Sequence, residues 1–214
     1  MIYPNPSVQM AKEITLRLAG MADAAGLARL WLAIFPDKFG PTLGGKAEAI
    51  LTDWLRLSRR HLQTTTIAEI EGSIAGFIVL ETPLAPRVDD GRWLWHALQL
   101  HHGILGVLRG FLCMVLIDNN HRMTDDEVYI EMLGVDPAWR GQGVAHQLMS
   151  YAEAVATQQG AAQLTLTVVS DNTPAINLYQ KMGFKIKSEQ RSRLLKWITG
   201  HAGYYEMVKS LQRQ

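Results

Sequence analysis

The chain has 214 residues, of which 48% are hydrophobic and 19% are charged, and its length suits one domain with an embellishment or two small domains. Its formal net charge of +1 argues against a nucleic-acid binder with a basic surface, because phosphate neutralisation dominates that kind of affinity. A single cysteine, Cys113, excludes an internal disulfide framework and any zinc site made of several cysteines.

The first 81 residues show strand and helix patterns in turn. Apolar and polar residues alternate over 13–20, which predicts a half-buried strand. Amphipathic helices are predicted over 21–35, with Asp23 as the cap, and over 46–60. Residues 64–81 are typical of two strands joined by a tight turn, so we expect a hairpin there.

Residues 82–126 break this rhythm. The stretch over 92–117 is apolar enough to raise the question of a membrane span. Its apolar residues recur every three or four positions along one face, as in a helix at the surface of a soluble protein. Arg109 near its middle would cost about 2.5–3.5 kcal/mol in a bilayer. We therefore expect a helical insert that does not cross a membrane.

The remaining residues predict a regular succession of strands and helices. Gly160 and Gly183 are expected to end the two helices. Thr173 is expected to cap the second helix, with Pro174 at the first helical position, where a missing N–H is tolerated. A strand is predicted over 127–135, a loop over 136–142 and a helix over 143–159. Further strands are predicted over 164–170 and, as the two closing strands, over 184–190 and 203–211.

The loop "WRGQGVA", residues 139–145, lies between a predicted strand and a predicted helix. Pro137 prevents the strand from continuing as a central one, and Gly141 and Gly143 allow backbone conformations closed to other residues. The first N–H groups of the helix have no partner within it, so together with Arg140 they could hold a phosphate. Two glycines also mark ordinary tight turns, and the loop matches neither common phosphate-binding glycine motif. Both interpretations stay open on this loop alone.

Two blocks of the sequence resemble motifs of the GNAT N-acetyltransferase superfamily. "LGVDPAWRGQGVAHQLM" is similar to the acyl-CoA signature Arg/Gln-x-x-Gly-x-Gly/Ala, here Arg140, Gly143 and Ala145. "DNTPAINLYQKMGF", residues 171–184, resembles the motif Asn-x-x-Ala-x-x-Leu-Tyr-x-x-x-Gly-Phe of the same superfamily. The two blocks also stand in the order and at the separation that the superfamily shows.

This resemblance is sharp over 127–186, diffuse over 13–81 and absent over 82–126. It implies an α/β fold with a mixed, splayed, twisted sheet of about seven strands flanked by helices, and a helical insert between strands 3 and 4. We expect a single domain over 1–214. The insert falls where the acceptor should enter, so we expect it to cover the site or to form a dimer surface.

The resemblance also implies a site for acetyl-CoA, whose acetyl group would pass directly to an amine without a covalent enzyme intermediate. The pyrophosphate would bind the loop, and the pantetheine arm would pair with the end of the preceding strand. Asn172 would contact the CoA arm, and Tyr179 would protonate the leaving thiolate. The implied binding residues are Leu133, Gly134, Val135, Arg140, Gly141, Gln142, Gly143, Val144, Ala145, Asn172 and Tyr179.

Transfer to an alkyl amine needs a base, because such an amine is almost fully protonated at pH 7, an obstacle of roughly 4 kcal/mol. Glu127, Tyr129 and Glu131 share one strand face by the two-residue period. Glu131 is similar in position to the base of polyamine-type members of the superfamily. Thr167 stands where ribosomal-protein N-terminal acetyltransferases carry their glutamate. This favours Glu131 or a water relay, although a strand carboxylate can also be purely structural.

The sequence therefore predicts an acetyl-CoA-dependent N-acetyltransferase that acts on a primary amine of a small molecule or peptide. The alternative is a non-catalytic acyl-CoA-binding or regulatory module with the same fold. No histidine pattern of a zinc site is present, so we expect no metal. The single cysteine fits a reducing cytoplasm, so we expect a cytoplasmic location, and the N-terminus lacks a signal-peptide pattern. We expect no nucleic-acid or membrane partner, and a homodimer stays open.

Overall fold

The computed structural model describes residues 12–36, 39, 43–85, 91–102, 123–191 and 203–211. The described strands are β1 (Thr15–Leu18), β2 (Thr65–Ile70), β3 (Ser73–Glu81), β4 (Glu127–Val135), β5 (Gln163–Val169), β6 (Lys185–Arg191) and β7 (Gly203–Ser210). The described α-helices are α1 (Ala24–Ile34), α2 (Ala47–Leu57), α3 (Arg59–Gln63), α4 (Gly91–His102), α5 (Val144–Gln158) and α6 (Thr173–Lys181). The predicted α/β class with a seven-stranded sheet is confirmed.

The seven strands form one mixed sheet in the order β1-β2-β3-β4-β5-β7-β6. Every neighbouring pair is antiparallel except β4 and β5, which are parallel. This follows from the chain path, because α5 carries the chain from the end of β4 back to the start of β5. The last strand, β7, enters between β5 and β6, so the final two strands are not added in chain order.

Helices cover both faces of the sheet and bury two apolar cores. The α1–α2 core includes Leu27, Trp31, Ile50, Leu51, Leu55, Ile67, Phe77, Val79, Leu94, Leu98 and Met132. The α5–α6 core includes Ala68, Ile78, Leu80, Val128, Ile130, Val144, Leu148, Leu164, Leu166, Val168, Tyr179, Phe184 and Met207. Adjacent strand residues alternate between these cores, as expected when both faces of a sheet are covered.

The elements of the N-terminal half follow the predictions, with three local differences. The helix predicted over 46–60 ends at Leu57, and a separate short helix, α3, follows Ser58. The hairpin turns at Glu71 and Gly72, both with positive φ (51° and 77°), which is the backbone that a two-residue hairpin favours. Asp23 precedes α1, but its carboxylate makes no cap bond to that helix. It accepts a hydrogen bond from the N–H of Gly20 at 2.7 Å and forms an ion pair with Arg17. In β1, an edge strand, Leu18 is 59% exposed rather than half-buried.

The insert contributes α4, which packs on α2. Leu94, Ala97 and Leu98 are buried on its inner face. His101 Nε2 lies 2.8 Å from Asp53 Oδ2, which links the end of α4 to α2. The predicted helix continues to 117, but its part beyond His102, with Arg109 and Cys113, lies outside the described residues. A covering or dimer-forming role of the insert stays a prediction.

No helix in the described ranges is both long enough and apolar enough to cross a membrane.

Gly76 sets how closely α5 approaches the sheet. A Cβ at Gly76 would lie 2.8 Å from the carbonyl oxygen of Gly134, 2.9 Å from Val144 Cγ1 and 3.3 Å from Leu148 Cδ1. Overpacking of this kind costs about 1–3 kcal/mol, so Gly76→Ala should lower the free energy of unfolding by that amount in urea melts.

Gly26→Ala is the matched control for this prediction. Gly26 lies in α1, and a Cβ there would meet only the flexible end of Ile74, at 3.0 Å. Because alanine favours helix over glycine by about 1 kcal/mol, this variant should be as stable as wild type or more stable. Equal stability of Gly76→Ala and wild type would contradict the close packing of α5 on β3.

Candidate functional site

The sheet opens between its two parallel strands. β4 pairs with β5 only over 127–130, opposite 163–166. Beyond that point β4 continues to Val135 against β3, and β5 continues to Val169 against β7. The backbone edge of β4 over 131–135 therefore has no strand partner on its β5 side within the described chain. Backbone N–H and C=O groups need partners, so an open edge of this kind can bind an extended ligand as an added strand.

A β-bulge marks the residue at which the strands separate. Val79 of β3 pairs with Met132, whereas the next residue, Leu80, pairs with Ile130. Glu131 is therefore an extra residue in β4. Bulges bend a strand and redirect a side chain, and they are common beside active sites. The bulge thus turns β4 away from β5 and presents Glu131 at the mouth of the opening.

The bulge also decides which face of β4 each residue takes. Ile130 belongs to the α5–α6 core, and so does Leu133 at its margin, although a regular strand would place them on opposite faces. The alternation predicted from Glu127 to Glu131 holds up to the bulge and reverses after it. Glu131 lies on the sheet face opposite the α5–α6 core.

The two glutamates of β4 differ in their surroundings. Glu127 is 1% exposed, and its carboxylate accepts hydrogen bonds from the N–H of Thr124 at 3.0 Å and from Gln163 Nε2 at 3.3 Å. Glu131 is half-buried, and its carboxylate makes no hydrogen bond or ion pair with any described residue. Glu127 is therefore engaged in the structure of the sheet, whereas the carboxylate of Glu131 has no partner among the described residues.

The loop after β4 is shaped by one aspartate and two glycines. Asp136 Oδ1 accepts a hydrogen bond from the N–H of Ala138 at 2.8 Å and starts a short 3-10 helix over Pro137–Trp139. Gly141 and Gly143 have φ of 77° and 86°, a left-handed backbone that other residues avoid. A Cβ at either glycine would meet nothing within 4 Å. The backbone angle, rather than crowding within the chain, is what requires glycine at these positions.

The loop ends in exposed hydrogen-bond donors. The first backbone N–H of α5 that makes a helical hydrogen bond is that of Gln147, which donates to the carbonyl oxygen of Gly143 at 3.0 Å. The N–H groups of 141–146 make no hydrogen bond to the residues that the structure describes. The exposed side chain of Arg140 adds a cation beside them. Helix N-terminal N–H groups and an arginine form an anion site, so the phosphate interpretation of the loop gains geometric support.

The side chain of Gln142 is used within the loop. Its Nε2 group donates to the carbonyl oxygen of Ala138 at 3.3 Å and braces the loop from within. A contribution of Gln142 to ligand binding would therefore come from its backbone N–H.

The start of α6 differs from the prediction. The N-cap is Asn172, whose Oδ1 accepts a hydrogen bond from the N–H of Ala175 at 3.2 Å, and Thr173 and Pro174 are the first two helical residues. The predicted cap at Thr173 is therefore wrong. Asparagine and threonine both cap helices, and here the asparagine oxygen is the one that reaches the third N–H of the helix. The Nδ2 group of Asn172 faces no acceptor among the described residues and stays available as a donor.

Tyr179 lies on α6 within the α5–α6 core and is 8% exposed. Its ring contacts that of Phe184, with centroids 6.0 Å apart. Gly183, with φ of 90°, turns the chain after α6 so that the N–H of Phe184 donates to the carbonyl of Tyr179 at 2.9 Å. Burial raises the pKa of Tyr179 to about 12, because an apolar core disfavours the phenolate. At neutral pH the hydroxyl carries its proton and can act as an acid.

The candidate residues therefore lie on both faces of the sheet. Tyr179 and the loop lie on the side of α5 and α6, and Glu131 lies on the opposite side. Sequence reasoning assigned no role to the closing strands. The register pairs Thr167 of β5 with Glu206 of β7, which no local pattern indicates.

Comparison with known proteins identifies the family. Residues 24–184 match the model of the acetyltransferase (GNAT) family, over more than half of the chain. The chain belongs to the GNAT acetyltransferase family. The match runs from α1 to the residue after Gly183 and spans the insert. The predicted family membership and the enzyme interpretation are confirmed: this protein is an N-acetyltransferase of a family that uses acetyl-CoA.

This acetyltransferase is 32% identical over 136 residues to the streptothricin acetyltransferase of Streptomyces lavendulae, covering 56% of the chain and 69% of that relative. Its fold is similar to an N-acetyltransferase from Staphylococcus aureus Mu50, with a TM-score of 0.66 at 18% identity, over 91% of this chain and 100% of that one. An acetyltransferase from Salmonella typhimurium, solved with its cofactor acetyl-CoA, gives a TM-score of 0.60 at 15% identity, over 94% and 96%. At these identities the two structures support the fold alone.

Proposed function

We propose that this acetyltransferase moves the acetyl group of acetyl-CoA directly to a primary amine of a small molecule or peptide. The observation that carries this proposal is the open edge of β4 over 131–135. One end of that edge begins at the disengaged carboxylate of Glu131, and the other leads into the exposed N–H groups of the loop. Donor binding and proton removal therefore meet at one opening in the sheet.

The residues around the opening fit acetyl-CoA. The pyrophosphate would accept hydrogen bonds from the N–H groups of 141–145 and from Arg140, where the free space beside Gly141 and Gly143 leaves room for it. The amides of the pantetheine arm would pair with the backbone of 133–135. Asn172 would use its Nδ2 group on the same arm. Bound in this way, acetyl-CoA would supply an activated acetyl group for transfer.

The chain supplies a base and an acid for the transfer. The amine nitrogen forms a bond to the thioester carbonyl carbon, and the carbon–sulfur bond breaks. The proton that the nitrogen loses passes to Glu131, directly or through a water molecule. Tyr179 gives its proton to the departing thiolate. Each proton transfer of this kind contributes about 10²–10⁴-fold to the rate. No enzyme side chain needs to carry the acetyl group.

The nature of the acceptor rests on two indications. The relative from Streptomyces lavendulae is named for streptothricin, which supports a small-molecule amine. Thr167 provides no carboxylate on β5, where the ribosomal-protein N-terminal acetyltransferases carry their glutamate. The candidate base is therefore Glu131 on β4. Both indications favour a small amine over a protein N-terminus, and a peptide remains within the proposal.

An acceptor panel tests the proposal. Release of CoA thiol from acetyl-CoA should be measured with spermidine, kanamycin, L-lysine and a short lysine-containing peptide, and the product confirmed by mass spectrometry. We expect at least one amine to raise thiol release well above the rate without acceptor. The same compounds with acetylated amines are the matched control and should have no effect. Tight acetyl-CoA binding without transfer to any amine would contradict the proposal.

A further inference from the structure

The two faces of the sheet are covered differently around the opening. The α5–α6 core lies on the face that carries Tyr179. On the opposite face the α1–α2 core includes residues of β2, β3 and β4 but none of β5, β6 or β7. An amine that approaches β5 on this opposite face therefore meets no apolar core among the described residues. On that face the opening is bordered by Glu131 on the β4 side and by Thr167 on the β5 side. Both residues are half-buried.

The β5 border of the opening has no ionisable group of its own. The sequence of β5, QLTLTVV, contains only amide, hydroxyl and aliphatic side chains. The neighbouring strand β7 supplies an ionisable group, because Thr167 pairs directly with Glu206 of β7. Directly opposed residues share a face, with Cβ atoms about 4.5–5.5 Å apart. Met207 belongs to the α5–α6 core, so its neighbour Glu206 lies on the acceptor side.

A second bulge holds the Glu206 carboxylate in place. Ile186 of β6 pairs with Met207, whereas Ser188 pairs with Glu206, so Lys187 is an extra residue in β6. Ser188 Oγ donates to Glu206 Oε2 at 2.9 Å, and Lys187 Nζ lies 2.8 Å from Oε1. The bulge thus directs two neighbouring donors at one carboxylate. The side chain of Glu206 is 18% exposed, and that of Lys187 is 50% exposed.

Lys187 is a cation beside this carboxylate. The pKa of Lys187 is raised mainly by its hydrogen bond to Glu206, and by smaller contributions from the charges of Glu206 and Glu127. Lys187 therefore stays positively charged and holds the Glu206 carboxylate in its orientation. A carboxylate held in one orientation binds an N–H donor with less loss of side-chain freedom than a mobile one.

We propose that Glu206 binds the acceptor by accepting a hydrogen bond from its amine or from a neighbouring cationic group. This inference rests on the proposed function and adds a specificity-determining residue to it. Glu131 takes the proton at the reacting nitrogen, and Glu206 fixes the approach of the acceptor from the β5 side. Amines with a second positive group are the favoured acceptors of such a pair of carboxylates.

Glu206→Gln tests the role of the charge. Glutamine keeps the size of the side chain and an oxygen that can accept from Ser188. Loss of a charge-assisted hydrogen bond should raise the KM for the acceptor about 10- to 100-fold, with the KM for acetyl-CoA and the kcat nearly unchanged. The acceptor is the best amine among spermidine, kanamycin, L-lysine and the peptide.

The control is Glu189→Gln. It makes the same change one residue from Ser188, at a glutamate paired with Arg191 on the surface, and should leave the acceptor KM at the wild-type value. An unchanged acceptor KM in Glu206→Gln would overturn the inference. If the wild type transfers acetyl to one of the four amines, that result leaves the proposed function intact. If the wild type transfers to none, the proposed function itself fails.

A rescue variant separates binding from a merely structural role. Thr167→Glu, added to Glu206→Gln, returns a carboxylate to the directly opposed position. We expect this double variant to recover much of the lost acceptor affinity. A structural role of Glu206 would show as a lower melting temperature that Thr167→Glu does not correct. A double variant as impaired as Glu206→Gln would also overturn the inference.

Discussion

Tyr179→Phe is expected to lower kcat for acetyl transfer by about 10²–10⁴-fold, with little change in acetyl-CoA affinity. The change removes the one hydroxyl that we assign to protonation of the leaving thiolate. It leaves the aromatic ring in the α5–α6 core against Phe184, so the fold should be kept. Steady-state kinetics gives kcat, and titration calorimetry gives the affinity for acetyl-CoA.

The pH dependence sharpens this expectation. Burial raises the pKa of Tyr179 to about 12. The hydroxyl therefore keeps its proton below that pH, and it can no longer donate a proton only above it. The deficit of the variant should therefore be similar at every pH between about 6 and 10. Tyr151→Phe is the matched control, because Tyr151 lies on α5 and packs against the same core. Wild-type kcat in Tyr179→Phe would remove the acid role.

Local sequence patterns predicted the parts of the site that local chemistry determines. The strand over 127–135 was predicted with the bounds that the structure shows, because its alternation is bounded by a charged turn and by Pro137. The conformation of the loop follows from Gly141 and Gly143, which carry the positive φ that these positions need. A strand, a glycine loop and a helix N-terminus can thus be inferred without knowledge of the rest of the sheet.

The features that could not be predicted depend on pairing between distant strands. The bulge at Glu131 exists because β3 and β4 pair out of step by one residue, and no glycine or proline marks it in the sequence. The same is true of Lys187 and Glu206, which meet only because β7 enters between β5 and β6. Register is a property of two strands at once, so alternation within one strand cannot reveal it.

The sequence also could not decide between two nearby candidates for the same role. Asn172 and Thr173 are both good helix caps, and only the reach of one oxygen to the N–H of Ala175 decides between them. Glu127 and Glu131 share a predicted face, and the structure separates them by burial and hydrogen bonding. In both pairs the two residue types suit the same role equally well, and the position of the backbone determines which residue can fill it.

Glu131→Gln should reduce kcat/KM for the acceptor by about 10²–10⁴-fold near pH 7, because the acceptor then loses the group that accepts its proton. The deficit should shrink as the pH rises towards the amine pKa of about 10.4, where the free amine no longer needs a base. Rates at saturating acceptor distinguish the two roles, because loss of a base lowers kcat, whereas loss of a group that only binds the acceptor raises its KM.

Glu127→Gln is the matched control for this prediction, with the same change four residues earlier on the same strand. Glu127 is buried and accepts hydrogen bonds from Thr124 and Gln163, so its loss should lower the melting temperature and leave the pH dependence of transfer as in wild type. The reverse outcome, in which Glu127→Gln abolishes transfer and Glu131→Gln does not, would move the base to the buried end of β4. The bulge places Glu131, and not Glu127, where β4 leaves β5, and this is the physical reason to expect the first outcome.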